Sequence, residues 1–258
     1  MGTSGFLFCG HFIAYYGLMI VIGIVAAAFI AYVQIKRFHL DWNDFLILCG
    51  MSGLFGIAGA KILYLLISIP VIETERLSDL SYVSTLMNGG FVFYGGLIGV
   101  FPALYLCKNK LGISVSEYLQ YCIGCIPIVH GFGRIGCYLV GCCHGIPYDG
   151  LFSVTYSDSR YAPNGVPLLP VQLLEAFGEF GIGMALLFLC KRQKGISAAA
   201  MYMTLYSVMR FFLEYLRGDI IRGSLYNFST SQYISVAMFI IGLGMRVKSR
   251  RSIKADAH

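Results

Sequence analysis

The chain has 258 residues, 57% of them hydrophobic and only 12% charged, against about 25% charged in soluble globular domains, which excludes a soluble enzyme and makes this an integral membrane protein. The formal net charge of +6 is scattered over short loops and the tail, which excludes a nucleic-acid-binding surface. Most of the nine cysteines lie singly in apolar segments, where a thiol acts as a small hydrophobe, and this excludes a disulfide scaffold.

Seven apolar segments follow one another, at 11–35, 43–68, 88–107, 117–140, 171–190, 196–217 and 229–245. Each approaches the ~20 residues of a bilayer crossing, and their continuous apolar character argues against a β-barrel. The expectation is an all-α membrane protein of seven transmembrane helices. The first run is too long for a signal peptide and has no basic region before it, so it reads as a span. Lys36 and Arg37, Lys108 and Lys110, Lys191, Arg192 and Lys194, and a basic tail fall after alternate segments. The other loops hold mainly Glu73, Glu75, Arg76, Asp79, Asp149, Asp158, Arg160, Asp219 and Arg222. By the positive-inside rule the N-terminus is then outside and the C-terminus cytoplasmic. Residues 1–258 are expected to form a single polytopic domain, with 142–170, which contains four prolines, as a cap over the outward face.

In chain order, Tyr15 and Tyr16 open the first segment at the interface level, and Gly53, Gly56, Gly59 and Ala60 permit close helix packing in the second, where Lys61 either snorkels or faces a cavity. Gly89–Gly90 and Gly95–Gly96 flank Phe91 to Tyr94, poor helix material that suits a broken span, with Tyr94 either at the interface or presenting its hydroxyl to a cavity. Segment four ends in GFGRIGCYLVGCCHG, Gly131 to Gly145, where Arg134, Cys137 or Tyr138, and Gly141 share a helix face. In segment five Gln172, Glu175 and Glu179 recur at i, i+3 and i+7, and in segment six Tyr206, Arg210, Glu214 and Arg217 make one polar stripe.

Ionisable groups inside a bilayer are costly unless paired or used, so these residues are expected to line a cavity. Guanidinium forks match phosphate oxygens, and the apolar helices around them suit acyl chains. Two functions fit: an enzyme acting on an anionic phospholipid, or a transporter or binding protein for a small anion or lipid with the same arginine-lined cavity.

The order of these motifs resembles the prolipoprotein diacylglyceryl transferase family over nearly the whole chain. The resemblance rests on Tyr15-Tyr16-Gly17-Leu18-Met19, on Gly89 to Gly99, on Gly133 to Gly145, on Pro170 to Glu175, and on Tyr206, Arg210, Glu214 and Arg217. It implies a transferase in the bacterial cytoplasmic (inner) membrane with its active site towards the outer leaflet. That enzyme moves diacylglycerol from phosphatidylglycerol to the lipobox cysteine thiol of a secreted prolipoprotein, releasing glycerol 1-phosphate without a metal or organic cofactor. Arg134 and Arg210 would engage the headgroup, and Tyr16, Tyr206 and Glu214 would shape the site; Lys61, Cys137, Gly141, Gly145, Gln172, Glu175 and Arg217 are further candidates for the substrate site.

The chain departs from the family pattern where acid–base chemistry is expected. Tyr94 stands in the position of a histidine, Cys137 and Val140 in those of two asparagines, and Cys142 in that of a glutamate, followed by Cys143 and His144. Three readings stay open: His144 serves as the base, the acceptor is a different one, or Cys142 or Cys143 reacts as a thiolate in a thiol-dependent lipid-modifying enzyme. Structural packing or a vicinal disulfide are further roles for the cysteine pair. Metal binding by Cys142, Cys143 and His144 is not expected, because adjacent residues converge poorly on one tetrahedral ion.

Overall fold

The computed structural model describes residues 4–76, 78–192, 195–219, 224–225 and 228–255; Lys194 and Arg222, counted above among the loop charges, lie outside them. Its elements are β1 (Gly5–Phe8), β2 (His11–Ala14), α1 (Tyr15–Arg37), α2 (Trp42–Ser68), α3 (Leu80–Asn88), α4 (Phe93–Asn109), α5 (Val115–Cys122), α6 (Cys125–Val140), β3 (Val154–Thr155), β4 (Pro167–Leu168), α7 (Val171–Leu189), α8 (Gly195–Leu213), β5 (Ser224–Leu225), β6 (Phe228–Ser229) and α9 (Thr230–Ala255). The strands form three two-stranded antiparallel sheets among the described residues, and the rest is mainly helix, with a long irregular loop between α6 and α7.

Among the described residues five helices are long and apolar enough to cross a membrane, or six spans if one bent pair of helices counts as one, which corrects the expected seven. The five are Tyr15–Arg37, Trp42–Val71, Val171–Arg192, Gly195–Leu216 and Thr230–Ser249. The third apolar segment fails because its helix starts only at Phe93, after the Gly89–Gly90 pair. The 17 residues of α4 reach about 25 Å, short of the ~30 Å hydrocarbon core. The fourth segment is split into α5 and α6 with a 50° bend. Pro127 explains the break: it has no N–H to give, and its ring would clash with the carbonyl of Ile123, the first residue after α5. The assignment of N-terminus outside and C-terminus cytoplasmic depended on seven alternating crossings and falls with them.

The chain divides into two compact units, residues 1–40 with 116–258, and residues 41–115. In the second unit, α2 and α4 approach backbone to backbone. A methyl group on Gly59 would come within 2.3 Å of the Gly95 carbonyl oxygen, and one on Gly99 within 2.2 Å of that of Phe55. Small residues therefore serve here to let two apolar helices touch. Asp41 caps α2 by accepting from the amides of Asn43 and Asp44. Lys61 donates to the carbonyls of Leu86 and Gly89 at 3.1 and 3.3 Å and lies over the Tyr64 ring. It thus satisfies the C-terminal end of α3, where a cation also suits the helix dipole.

In the first unit, α6 packs between α1 and α7, and α8 packs on α7 and α9. Glycines again set the closeness: Gly136 lies against the Tyr16 backbone and ring, Gly23 against Phe132, and Gly131 against Phe180. The helix α6 stops at Gly141, whose φ of 85° is left-handed. The loop that follows is stitched back to it. The hydroxyl of buried Tyr156 donates to the Tyr138 carbonyl at 2.7 Å, and that of Ser159 to the Val140 carbonyl at 2.9 Å. These bonds satisfy carbonyls that a helix end leaves open. Tyr156 also heads a small core with Val154, Ala162 and Leu168, and this burial pushes its phenol pKa above the ordinary range.

Candidate functional site

The helices α6 and α7 face each other with matched polar ladders. Residues 130, 134 and 137 on α6 are one helical turn apart, as are 172, 175 and 179 on α7. His130 Nδ1 lies 2.6 Å from Glu179 Oε1, Arg134 Nη2 lies 3.1 Å from Glu175 Oε1, and Gln172 Nε2 donates to the Cys142 carbonyl at 2.9 Å. The order runs in opposite senses on the two helices. Glu175 and Glu179 are 1% and 0% exposed, so each carboxylate depends on its partner in place of water.

A second cluster comes from α8. Arg210 and Glu214 pair at 2.5 Å with both side chains less than a tenth exposed, and Arg210 also donates to Ser231 Oγ of α9 at 3.4 Å. Tyr206 stands between the two clusters. Its ring lies 5.6 Å from that of His130, and its hydroxyl is within electrostatic reach of Glu175, Arg134 and Arg210. Among the described residues, Arg134 Nε and Arg210 Nη1 are buried donors without a hydrogen bond. Each guanidinium is thus neutralised by a carboxylate yet keeps a free N–H. Such orphan donors cost about 1–3 kcal/mol unless a ligand takes them.

The third cluster lies where α6 ends. The sulfurs of Cys137, Cys142 and Cys143 fall within 4.8 Å of one another. Hydrogen bonds from Cys137 and Cys142, and then the Arg217 guanidinium, hold the Cys143 thiol well below its ordinary range, while its bonds to Cys137 and Cys143 push Cys142 up. Arg217 forks onto Asp219 with bonds of 2.8 and 2.7 Å. Burial opposes its charge, but Asp219 and the Cys143 sulfur hold it above its usual range. Tyr16 is within electrostatic reach of both the cysteines and Arg134.

The structure therefore gathers Tyr16, Arg134, Cys137, Cys142, Cys143, Gln172, Glu175, Tyr206, Arg210, Glu214 and Arg217 in one unit. Gly141 and Gly145 shape its edge. A methyl on Gly141 would meet Ser159 Oγ at 2.4 Å, and Gly145 pairs with Arg217 in a β-bridge. His144 is not drawn into the sulfur cluster: its Nδ1 lies 3.0 Å from the Gly145 carbonyl, and its own carbonyl accepts from Gly218. Lys61 and Tyr94 belong to the other unit; Lys61 is bound to α3, and Tyr94 sits in the first turn of α4. Sequence reasoning missed two members, His130 and Asp219. The signal for His130 was present, four residues before Arg134 on the same helix, opposite a glutamate four residues beyond Glu175. Asp219 was counted only as a loop charge, because a fork two residues long depends on the turn at Gly218.

Comparison with known proteins bears on what these clusters do. The family model described as prolipoprotein diacylglyceryl transferase matches residues 6–248. The phosphatidylglycerol–prolipoprotein diacylglyceryl transferase of Clostridium tetani (strain Massachusetts / E88) is 34% identical over 233 residues, covering 88% of this chain and 90% of that protein. Enzyme 2 of that name from Clostridium perfringens (strain 13 / Type A) is 33% identical over 229 residues, 88% of each. The one from Finegoldia magna is 27% identical over 262 residues, 99% of each.

Proposed function

The chain belongs to the prolipoprotein diacylglyceryl transferase family, and we propose that its first unit holds phosphatidylglycerol by the phosphate and passes the diacylglyceryl group to a cysteine thiol of a prolipoprotein. It is a multi-pass membrane enzyme of the diacylglyceryl transferase kind. The observation that carries the proposed site is the pair of unused buried donors, Arg134 Nε and Arg210 Nη1, on guanidiniums already held in place by Glu175 and Glu214. A phosphate is the ligand that such forks fit.

In this reading the guanidiniums bind the phosphodiester and stabilise the charge that collects on the phosphate oxygen as the glycerol carbon leaves it. Their carboxylates keep them from rotating, so little reorganisation is needed when charge develops. Tyr206 sets the spacing between the two arginines. The acceptor thiol approaches from the end of α6, where Gly141, Gly145 and the 142–170 loop border the site. That loop acts as the cover, and the site faces the outer leaflet of the bacterial cytoplasmic membrane. The relatives' names, which specify phosphatidylglycerol and a prolipoprotein, support this assignment of substrates.

The test is release of labelled glycerol phosphate from phosphatidylglycerol in proteoliposomes supplied with a lipobox peptide. Arg210→Ala is expected to slow release by roughly 100-fold or more, the usual effect of losing one such donor. Unchanged release would remove Arg210 from the site.

A further inference from the structure

We propose that Cys137, Cys142 and Cys143 bind a soft divalent ion of the zinc type, and that its open fourth position receives the acceptor thiol as a thiolate; the second half rests on the transferase reading above. Four ligands at the zinc–sulfur distance of about 2.3 Å stand about 3.8 Å apart at the corners of a tetrahedron. The three sulfurs lie within 4.8 Å of one another, so only a small contraction separates them from three such corners. Cys142 and Cys143 alone would be poorly placed, being adjacent. The third sulfur comes from the last turn of α6, and backbone geometry turns the pair back towards it. Gly141 and Cys143 both adopt positive φ, 85° and 56°. For cysteine that conformation is unfavourable, and it is held here by bonds on either side: Gln172 to the Cys142 carbonyl and the Gly218 amide to the His144 carbonyl.

The surroundings point the same way. Gln172 Oε1 and Arg217 Nη1 are buried beside this turn without a hydrogen bond among the described residues. Three thiolates and a divalent ion leave one net negative charge, and the Arg217 guanidinium, shared with Asp219, lies next to it at Cys143. An all-sulfur donor set selects soft ions over magnesium or calcium. With three protein ligands the ion keeps one position open, the pattern of catalytic rather than structural zinc.

The position matters for the reaction. A thiol must lose its proton to attack carbon. Coordination deprotonates a thiol outright. The acceptor R–SH would displace water from the ion and release its proton to solvent. Its sulfur then forms a bond to the glycerol carbon of the lipid as the bond from that carbon to the phosphate oxygen breaks. The oxygen keeps the electron pair and departs as glycerol phosphate. The thioether product is neutral, a weaker ligand, and leaves the ion; no oxidant or reductant is involved.

The full chain, purified in detergent under reducing conditions without chelator, is analysed for zinc by mass spectrometry. About one zinc per chain is expected. Cobalt added to the stripped protein should give a thiolate charge-transfer band that changes when a lipobox peptide thiol is added. Cys137→Ser, Cys142→Ser and Cys143→Ser should each lower zinc content at least tenfold, and Cys49→Ser, on α2, should not. Absence of both zinc and the cobalt band overturns the site, and the cobalt titration needs no variant that could misfold. Zinc retained in the triple serine variant also overturns it. Full transfer by zinc-free protein would refute the role of the open position while leaving the transferase reading intact. Zinc bound with no transfer of lipid would refute that reading and leave the site standing.

Discussion

Replacing Arg134 separates the arginine's structural role from its role on substrate. Its side chain is 16% exposed and that of Glu175 1%, at 3.1 Å. At an effective dielectric constant near 20 the attraction at that distance is about 5 kcal/mol, and breaking a buried pair by deleting one partner costs about 3–5 kcal/mol. Arg134→Gln strands Glu175 and should lower stability by that amount, seen as a large drop in the unfolding temperature of the detergent-solubilised protein. Arg134→Lys keeps the charge beside Glu175 and should cost no more than about 1 kcal/mol, but an ammonium cannot pair with Glu175 and also present a fork to phosphate. Its transfer rate from phosphatidylglycerol to a lipobox peptide should fall roughly 100- to 1,000-fold, about 2.7–4 kcal/mol in the barrier. The double variant Arg134→Gln with Glu175→Gln replaces both charges and should recover most of the lost stability while remaining inactive. A lysine variant with wild-type transfer, or a double variant that regains activity, would show that Arg134 only packs against Glu175 and that the headgroup is held elsewhere.

Gly59→Ala should destabilise the second unit by about 1–3 kcal/mol, because the new methyl meets the Gly95 carbonyl oxygen at 2.3 Å. Gly53→Ala, with nothing within 4 Å of the added carbon, should be neutral or slightly stabilising in the same thermal unfolding assay. Tyr156→Phe removes the bond to the Tyr138 carbonyl and should cost about 0.5–1.5 kcal/mol. That loss should appear as faster hydrogen exchange in the loop after α6, and unchanged exchange there would mean that the loop is held by its apolar core alone.

The polar residues of the site were legible because they follow helical spacing. Gln172, Glu175 and Glu179 on one face, and Tyr206, Arg210 and Glu214 on another, need only a period of 3.6 to be placed. What was not legible depended on contacts between distant segments or on where a helix is forced to stop. The span count failed at two such places. Hydropathy does not register that Pro127 blocks the helix at Ile123, nor that α4 cannot begin before Phe93. Lys61 reads in the sequence as either snorkelling or facing a cavity, whereas its partners are carbonyls at the end of a short helix more than twenty residues further on. The sulfur cluster was hidden for the same reason. Cys142 and Cys143 are adjacent in the chain, but Cys137 joins them only because Gly141 ends α6 in a left-handed turn.

The purified chain is supplied with phosphatidylglycerol and a synthetic lipobox peptide, and the peptide is followed by mass spectrometry. The peptide should gain one diacylglyceryl group on its cysteine sulfur, with release of an equal amount of glycerol phosphate. An unmodified peptide, from protein that is folded and binds the lipid, would contradict the proposed transfer.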